Sequence, residues 1–374
     1  MKKMKVKQLI QLFEQEIPVH YAEGFDNVGL LVGDAQQKIT NVLVTLDTLE
    51  SVIDEAIAKQ CNLIVSFHPI VFKGLKKITG KDYVERVVIK AIQHNIAIYA
   101  MHTALDNHWQ GVNRQICDKL GLTNQRILIP KKETIKKLNV YVPKTNFEEV
   151  RRSLFNVGAG SIGNYEDCGF YVEGTGSYKG GIDSNPTVGE KGAFIEAPEV
   201  QLQVTFAAHL QGQVVNAMLT SHPYEEVAYE ITTLENVNQK IGMGMLGELP
   251  EALSETAALQ LVKERFNAKG IRHSAFLGKP IKKIAVLGGS GAFAIGNAKS
   301  AGADLFITAD IKYHEFYQAE AKLIVADIGH YESEQYTKNL IVSILTEKIS
   351  NFAPAYNSGN IILSDTNTNP IKYF

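Results

Sequence analysis

The sequence predicts an α/β fold: a duplicated core of two related α/β halves, with a ferredoxin-like α+β domain inserted between them. Three observations predict it. Residues 42–68 and 284–310 lay down the same strand–helix–strand pattern at a constant offset of 242, with no gap. Val44 falls on Val286, Ala56 on Ala298, Leu63 on Leu305 and His68 on Asp310, and such self-similarity points to duplication. The character then changes near Pro130, where Lys131, Lys132, Glu133, Lys136 and Lys137 make a polar connector. Beyond it the order of elements becomes βαββαβ, the ferredoxin-like plan. The predicted boundaries are 1–129 for the first half of the core, 130–240 for the insertion and 241–374 for the second half.

In chain order, Val6, Leu9, Ile10, Leu12, Phe13 and Ile17 recur at helical spacing, and Pro18 stops that helix. Turn residues surround a short strand within 26–34. Residues 42–46 read as a strand, 49–59 as a helix and 63–65 as a second strand, together a βαβ unit. Pro69 cannot continue a ladder, so His68 stands where that strand stops. A helix over 83–94 and a strand over 96–100 follow, and they deliver His102 and Asp106 just past a strand end. In the insertion, strands are expected at 138–142, 168–173, 200–206 and 227–234, with helices at 147–155 and 211–219. Gly174, Gly176, Gly180 and Gly181 read as a glycine-rich loop. The first pattern then returns with helix 255–266, strand 284–287, helix 292–300 and strand 305–308. A last buried strand, 323–326, leads through Gly329 into a helix that the spacing of Leu340, Ile341, Ile344, Leu345 and Ile349 carries to about 350.

Composition narrows the function classes. At 374 residues and 45% hydrophobic content, the chain is globular and long enough for two or three domains. Its 38 basic and 40 acidic residues leave a net charge of −2, so charge does not support nucleic-acid binding. No apolar run is long enough to span a bilayer, which argues against a membrane partner. The opening MKKMKVKQLIQLFEQE lacks an apolar core and does not read as a signal peptide. Cys61, Cys117 and Cys168 are scattered, without disulfide or zinc-finger spacing, and the expected address is the cytoplasm.

Open parallel sheets place their chemistry at strand ends. The duplication therefore predicts a junction site fed by His68 and Asp106 from the first half and by Asp310, His330 and Glu334 from the second. If the last helix starts near His330, Glu334 lies on the same face one turn later. Two imidazoles with two or three carboxylates suit Zn, Mn or Fe, and bridging carboxylates suit two ions. Each residue alone has a plainer reading: a histidine bonded to backbone, a turn or N-cap aspartate, a solvated helix face. Their coincidence at strand ends favours the metal. His102, His314 and Asp310 are candidates for orienting ligands or moving protons. Gly288-Gly289-Ser290-Gly291 resembles an anion cradle but lacks a Lys-Ser/Thr ending, so tight packing is its commoner explanation.

Ser66-Phe67-His68-Pro69, HTALDN at 102–107, TADIKYH at 308–314 and GHYESE at 329–334 resemble the GTP cyclohydrolase I type 2 homologue family, also called the NGG-one-interacting-factor-three family. The resemblance covers both halves. It implies an α/β core with a dinuclear metal site, assembled as a toroidal homohexamer. In the long bacterial form it also implies a CutA/PII-like insertion, of which HPYEE at 222–226 resembles a signature. Carried over by motif, the metal ligands are His68, Asp106, His330 and Glu334, holding two divalent ions per chain, Zn foremost and Mn or Fe as alternatives. Many members carry His-His-Pro where Phe67 stands here, which leaves one metal position weaker or completed by water or another side chain. The resemblance implies a metal-dependent hydrolase acting on a nucleotide or related heterocycle, with His102 or His314 as general acid or base. The alternative, from a different class, is a non-catalytic hexameric scaffold or regulator whose insertion senses a small molecule.

Overall fold

In the computed structural model, which describes residues 2–354, 356–357 and 359–374, the apolar runs form buried parallel strands. Helix α1 (Val6–Glu16) turns Val6, Leu9 and Phe13 into the core. Strand β1 (Gly29–Val32) is followed by β2 (Val42–Thr45), α2 (Glu50–Ala58), β3 (Leu63–Ser66), α3 (Tyr83–Gln93) and β4 (Ala97–Ala100). Every residue of β2, β3 and β4 is buried, as parallel strands covered on both faces require. Asp82 caps α3 by accepting the Glu85 amide at 3.0 Å. The short α4 (His102–Asp106), α5 (Val112–Lys119) and β5 (Thr123–Pro130) complete this half.

Residues 131–238 form a compact unit of their own. It comprises β6 (Ile135–Pro143), α6 (Phe147–Asn156), β7 (Phe170–Lys179), β8 (Phe194–Ala207), α7 (Gln211–Ser221) and β9 (Tyr229–Thr233). The sheet is antiparallel in the order β9-β6-β8-β7. Leu138, Val140, Val150, Leu154, Leu202, Val214 and Met218 join sheet and helices in one core, the ferredoxin-like arrangement. One expectation is corrected here. Gly174 and Gly176 belong to β7 and not to a loop, because the backbone there pairs with Glu199 and Ala197 of β8. The glycine at 176 serves a contact: a Cβ would sit 2.1 Å from the Glu199 carboxylate.

The second half holds β10 (Gly242–Leu253), α8 (Glu255–Arg265), β11 (Arg272–His273), β12 (Ile281–Ser290), α9 (Ile295–Ser300), β13 (Leu305–Ala309) and β14 (Ile324–Asp327). Then come α10 (His330–Glu334), α11 (Thr337–Phe352) and β15 (Ile361–Leu363). With the first half it forms the other compact unit, 1–130 with 239–374, which contains sheets ordered β15-β2-β3-β4-β1 and β11-β14-β13-β12-β10-β5.

The duplication is visible in the register. Val42 lies opposite Leu63 in the first half and Ile284 opposite Leu305 in the second, the same pairing shifted by the same offset. In each half a third parallel strand follows, and an antiparallel strand from earlier in the chain lies beside it. One core cluster joins Val42, Leu63 and Ala97 to Ile284, Leu305 and Ile324, with Phe13 of α1 and Leu345 of α11. Among the described residues, no helix is long and apolar enough to cross a membrane.

Candidate metal centre

Polar side chains follow the C-terminal ends of five parallel strands: Asp47 after β2, His68 after β3, His102 after β4, Asp310 after β13 and His330 after β14. Such ends are where the backbone leaves the ladder and side chains gain freedom to converge. Gly329, at φ 96°, makes the turn that starts α10, so Glu334 falls one helical turn after His330.

Three donor atoms meet. Nε2 of His68 and Nε2 of His330 are 3.4 Å apart, and they lie 3.2 and 3.1 Å from Oε2 of Glu334. The other ring nitrogen of each histidine is claimed: Asp47 Oδ1 lies 2.8 Å from His68 Nδ1, and Asp310 Oδ2 lies 2.7 Å from His330 Nδ1. A carboxylate at Nδ1 holds the proton there and turns the Nε2 lone pair toward the common point. A tetrahedral ion with bonds of about 2.0–2.1 Å separates its ligands by about 3.3 Å, close to the spacing found. Oδ1 of Asp106 is buried and makes no hydrogen bond, and buried Oε2 of Glu334 faces only the two imidazole nitrogens among the described residues. Buried oxygens of this kind are costly unless a cation meets them. The residues fit a divalent ion.

The metal-free cluster settles its charge with protons. Burial disfavours a charged His68, but Asp47 and Glu334 outweigh it and raise the pKa to about 9. Burial likewise opposes charge on His330, and Asp310 with Glu334 raises it to about 11. Burial would lift Glu334, yet the two imidazoles hold it far below the usual carboxylate range. Asp106 is pushed well above that range, first by burial and then by the charge of Glu334. The two carboxyls are thus pushed in opposite directions, the separation of roles that acid–base sites use.

A cavity of about 280 Å³ opens over the cluster, lined by His102, Asp106, His330 and Glu334 and walled by Phe25, Phe72 and Phe293. All three phenylalanines are exposed, and the first two stand 6.4 Å apart between ring centroids. His102 Nδ1 lies 2.8 Å from Asp26 Oδ1, and its backbone sits at φ 30°, a strained conformation for a side-chain-bearing residue. Phe67 is wholly buried, its ring 4.9 Å from His68 and 5.6 Å from His102.

The candidates named from sequence are distributed as follows. His68, His330 and Glu334 gather within 4.8 Å, Asp106 and His102 line the same cavity, and Asp310 orients His330. His314 lies apart, exposed beside Tyr313 and Tyr317. The glycines at 288–291 pack the site: Gly288 and Gly289 donate their amides to Asn113 and Ser333, each at 3.0 Å. A Cβ at Gly289 would lie 2.4 Å from Glu334 Oε1, so tight packing accounts for them. Sequence reasoning missed Asp47 and Asp26. Asp47 stands two residues beyond a buried strand, as His68 does, and the strand-end argument applied to β2 would have found it.

Over residues 4–370 the chain matches the family model described as Duf34/NIF3 (NGG1p interacting factor 3). A Bacillus subtilis protein named GTP cyclohydrolase 1 type 2 homolog is 40% identical over 375 residues, covering 100% of this chain and 99% of the relative. A Listeria innocua protein of the same name is 36% identical over 367 residues, 97% of each chain. Among solved structures, a Bacillus cereus protein related to NIF3 matches with a TM-score of 0.85 at 36% identity. Staphylococcus aureus protein SA1388 matches at 0.79 and 30%, and in both cases 100% of each chain is covered.

Proposed function

The chain belongs to the Duf34/NIF3 family, and from that premise we propose that it is a metal-dependent hydrolase of a nucleotide or related heterocycle. The observation that carries this reading is the convergence of two oriented imidazoles and a buried carboxylate oxygen beneath a cavity with three aromatic walls. His68, His330 and Glu334 would hold a divalent ion, Zn foremost and Mn or Fe as alternatives. When bound, such an ion supplies Lewis acidity and makes a coordinated water more acidic.

The chain's own residues do the rest. Asp47 and Asp310 fix the two imidazoles. Asp106 lies buried at the cavity floor with its carboxyl pKa pushed up, and with His102 it stands where a second ion would be met. Phe67 occupies the place of the additional imidazole, so that second position has fewer donors. His102, clamped at Nδ1 by Asp26, has Nε2 left to give or take a proton. Phe25, Phe72 and Phe293 offer flat apolar surface to a planar ring, and the relatives named after GTP cyclohydrolase make guanine nucleotides the first to try.

Self-association as a homohexamer belongs to the same proposal, supported by the exposed Phe170, Tyr171 and Val172 along edge strand β7. Buried free thiols at Cys61 and Cys117 suit the reducing cytoplasm. A second reading, a non-catalytic metal-binding regulator, is favoured by one observation: the tight cluster has three donors, where a pair of ions needs more. Elemental analysis with turnover assays on zinc-, manganese- and iron-loaded protein against a nucleotide panel tests both. Hydrolysis that disappears in Glu334→Gln supports the enzyme. Full metal content with no turnover in any form supports the regulator.

A further inference from the structure

A second cavity, of about 340 Å³, lies wholly within the 131–238 unit. Tyr141 of β6, Tyr178 of β7 and Tyr224 of the turn after α7 wall it, and Glu199 of β8 lines it between them. The loop at 180–187 is fastened over it: Glu225 Oε1 accepts the Asn185 amide at 2.6 Å, and Thr187 Oγ1 donates to the Pro223 carbonyl at 2.9 Å. Tyr178 and Tyr224 stand edge to face, with centroids 6.0 Å apart.

Glu199 is only 9% exposed. Its Oε1 accepts the Tyr224 hydroxyl at 2.9 Å. Among the described residues, the Tyr224 hydroxyl is the side-chain donor to this carboxylate. The fold makes room for this group, since Gly176 faces Oε2 at the point where a Cβ would lie 2.1 Å away. A largely buried carboxylate that lines a cavity, with one oxygen left free of protein donors among the described residues, suits a positively charged donor.

The walls say which kind. Glu199, Glu225 and Glu226 face a single cation, Lys179, among the lining residues, which disfavours an anion. A bare metal ion fits poorly, because the carboxylates here do not gather within 4.8 Å as the donors of the metal centre do, among the described residues. Aromatic faces beside carboxylates are the usual surroundings of an organic cation, and the volume suits a small molecule.

We propose that the inserted unit binds a small organic cation, an alkylammonium or guanidinium compound, which donates to Glu199 and lies against the Tyr178 and Tyr224 wall. This site is independent of the metal-centre reading. Calorimetric titration of the full-length protein with putrescine, agmatine and arginine tests it, with ATP, 2-oxoglutarate, Mn²⁺ and Ca²⁺ as counter-probes. The expected result is one saturable site per chain for at least one of the three cations. Glu199→Gln keeps the shape and the acceptor for Tyr224, and it should weaken that site by roughly tenfold or more while zinc content stays unchanged. Tyr178→Leu removes an aromatic wall while keeping both the Glu199 carboxylate and the Tyr224 hydroxyl, and should also weaken it. No saturable binding of any of the three cations at millimolar concentration overturns the proposal. So does a cation affinity that both variants leave intact, or a Glu199-dependent site that takes only the anions or the metals.

Discussion

A single carboxylate, Asp47, decides how His68 presents itself, and Asp310 does the same for His330. Asp47→Ala should leave the chain folded and weaken zinc binding by about 10–100-fold, the usual consequence of removing a ligand's orienting partner. Chelator competition reads this, and an unchanged affinity would place the ion elsewhere. Protons give a second check. His68, raised to about 9, and His330, raised to about 11, carry protons at neutral pH in the metal-free chain. Zinc must displace them, so affinity should climb as pH rises toward 9, and binding at pH 7 should release protons. The metal-free chain moves the other way. The stability it gains from charged His68 is complete below the ordinary value of 6.5 and is lost as pH rises through about 9. Melting curves with and without chelator should therefore diverge with increasing pH, and parallel curves would count against the assignment. Phe67→His, beside His68 and His102, should raise bound metal per chain. At this scale the sequence revealed His68, His330 and Glu334 because their residue types are distinctive; Asp47 and Asp26 were hidden because an aspartate after a strand looks like an ordinary turn residue.

Among the elements, β15 and the segment behind it tie the C-terminal stretch to α2. Glu55 accepts from Lys59 at 2.7 Å, from the Asp365 amide at 2.8 Å and from Ser364 at 2.6 Å. Burial alone would raise its pKa, but these donors lower it to about 2 from 4.5. The strap then reaches the site, where Thr368 donates to Asp47 Oδ2 at 2.6 Å. A depressed carboxyl pKa gives stability that is present above the unfolded value and lost as pH falls from about 4.5 to about 2. Glu55→Gln should therefore cost about 1–2 kcal/mol at pH 7, allowing for solvent screening, and almost nothing near pH 2. Thermal melts of the two proteins at both pH values decide it. None of this strap was read from sequence, since IILSDTNTNP is short and rich in turn formers. β5 and β10 escaped for a related reason. Only a few apolar residues mark β5, and Gly242, Gly244 and Gly247 interrupt β10; their pairing with each other and with β12 supplies what propensity does not. The long periodic helices and β-branched runs needed no such help.

For the molecule as a whole, the ungapped offset of 242 was the most informative feature of the sequence, because equal spacing survives only if the strands pair alike, and Val42–Leu63 and Ile284–Leu305 do. The same architecture predicts that the insertion can be removed. Pro130, where the chain leaves the core, lies directly opposite Gly242, where it has returned, on the antiparallel pair β5 and β10. The insertion thus replaces what would otherwise be a hairpin loop, and its hydrophobic cluster draws on its own residues alone. Replacing 131–238 with a linker of about six residues shortens the connection by roughly four doublings, which lowers the loop-closure cost by about 2 kcal/mol. The excised core should fold, bind zinc through His68, His330 and Glu334 with unchanged affinity, and melt no lower than the full chain. Elemental analysis, chelator competition and thermal melting measure this together. If the excised protein is insoluble, or folds without the metal, the core depends on the insertion and the two are not separable.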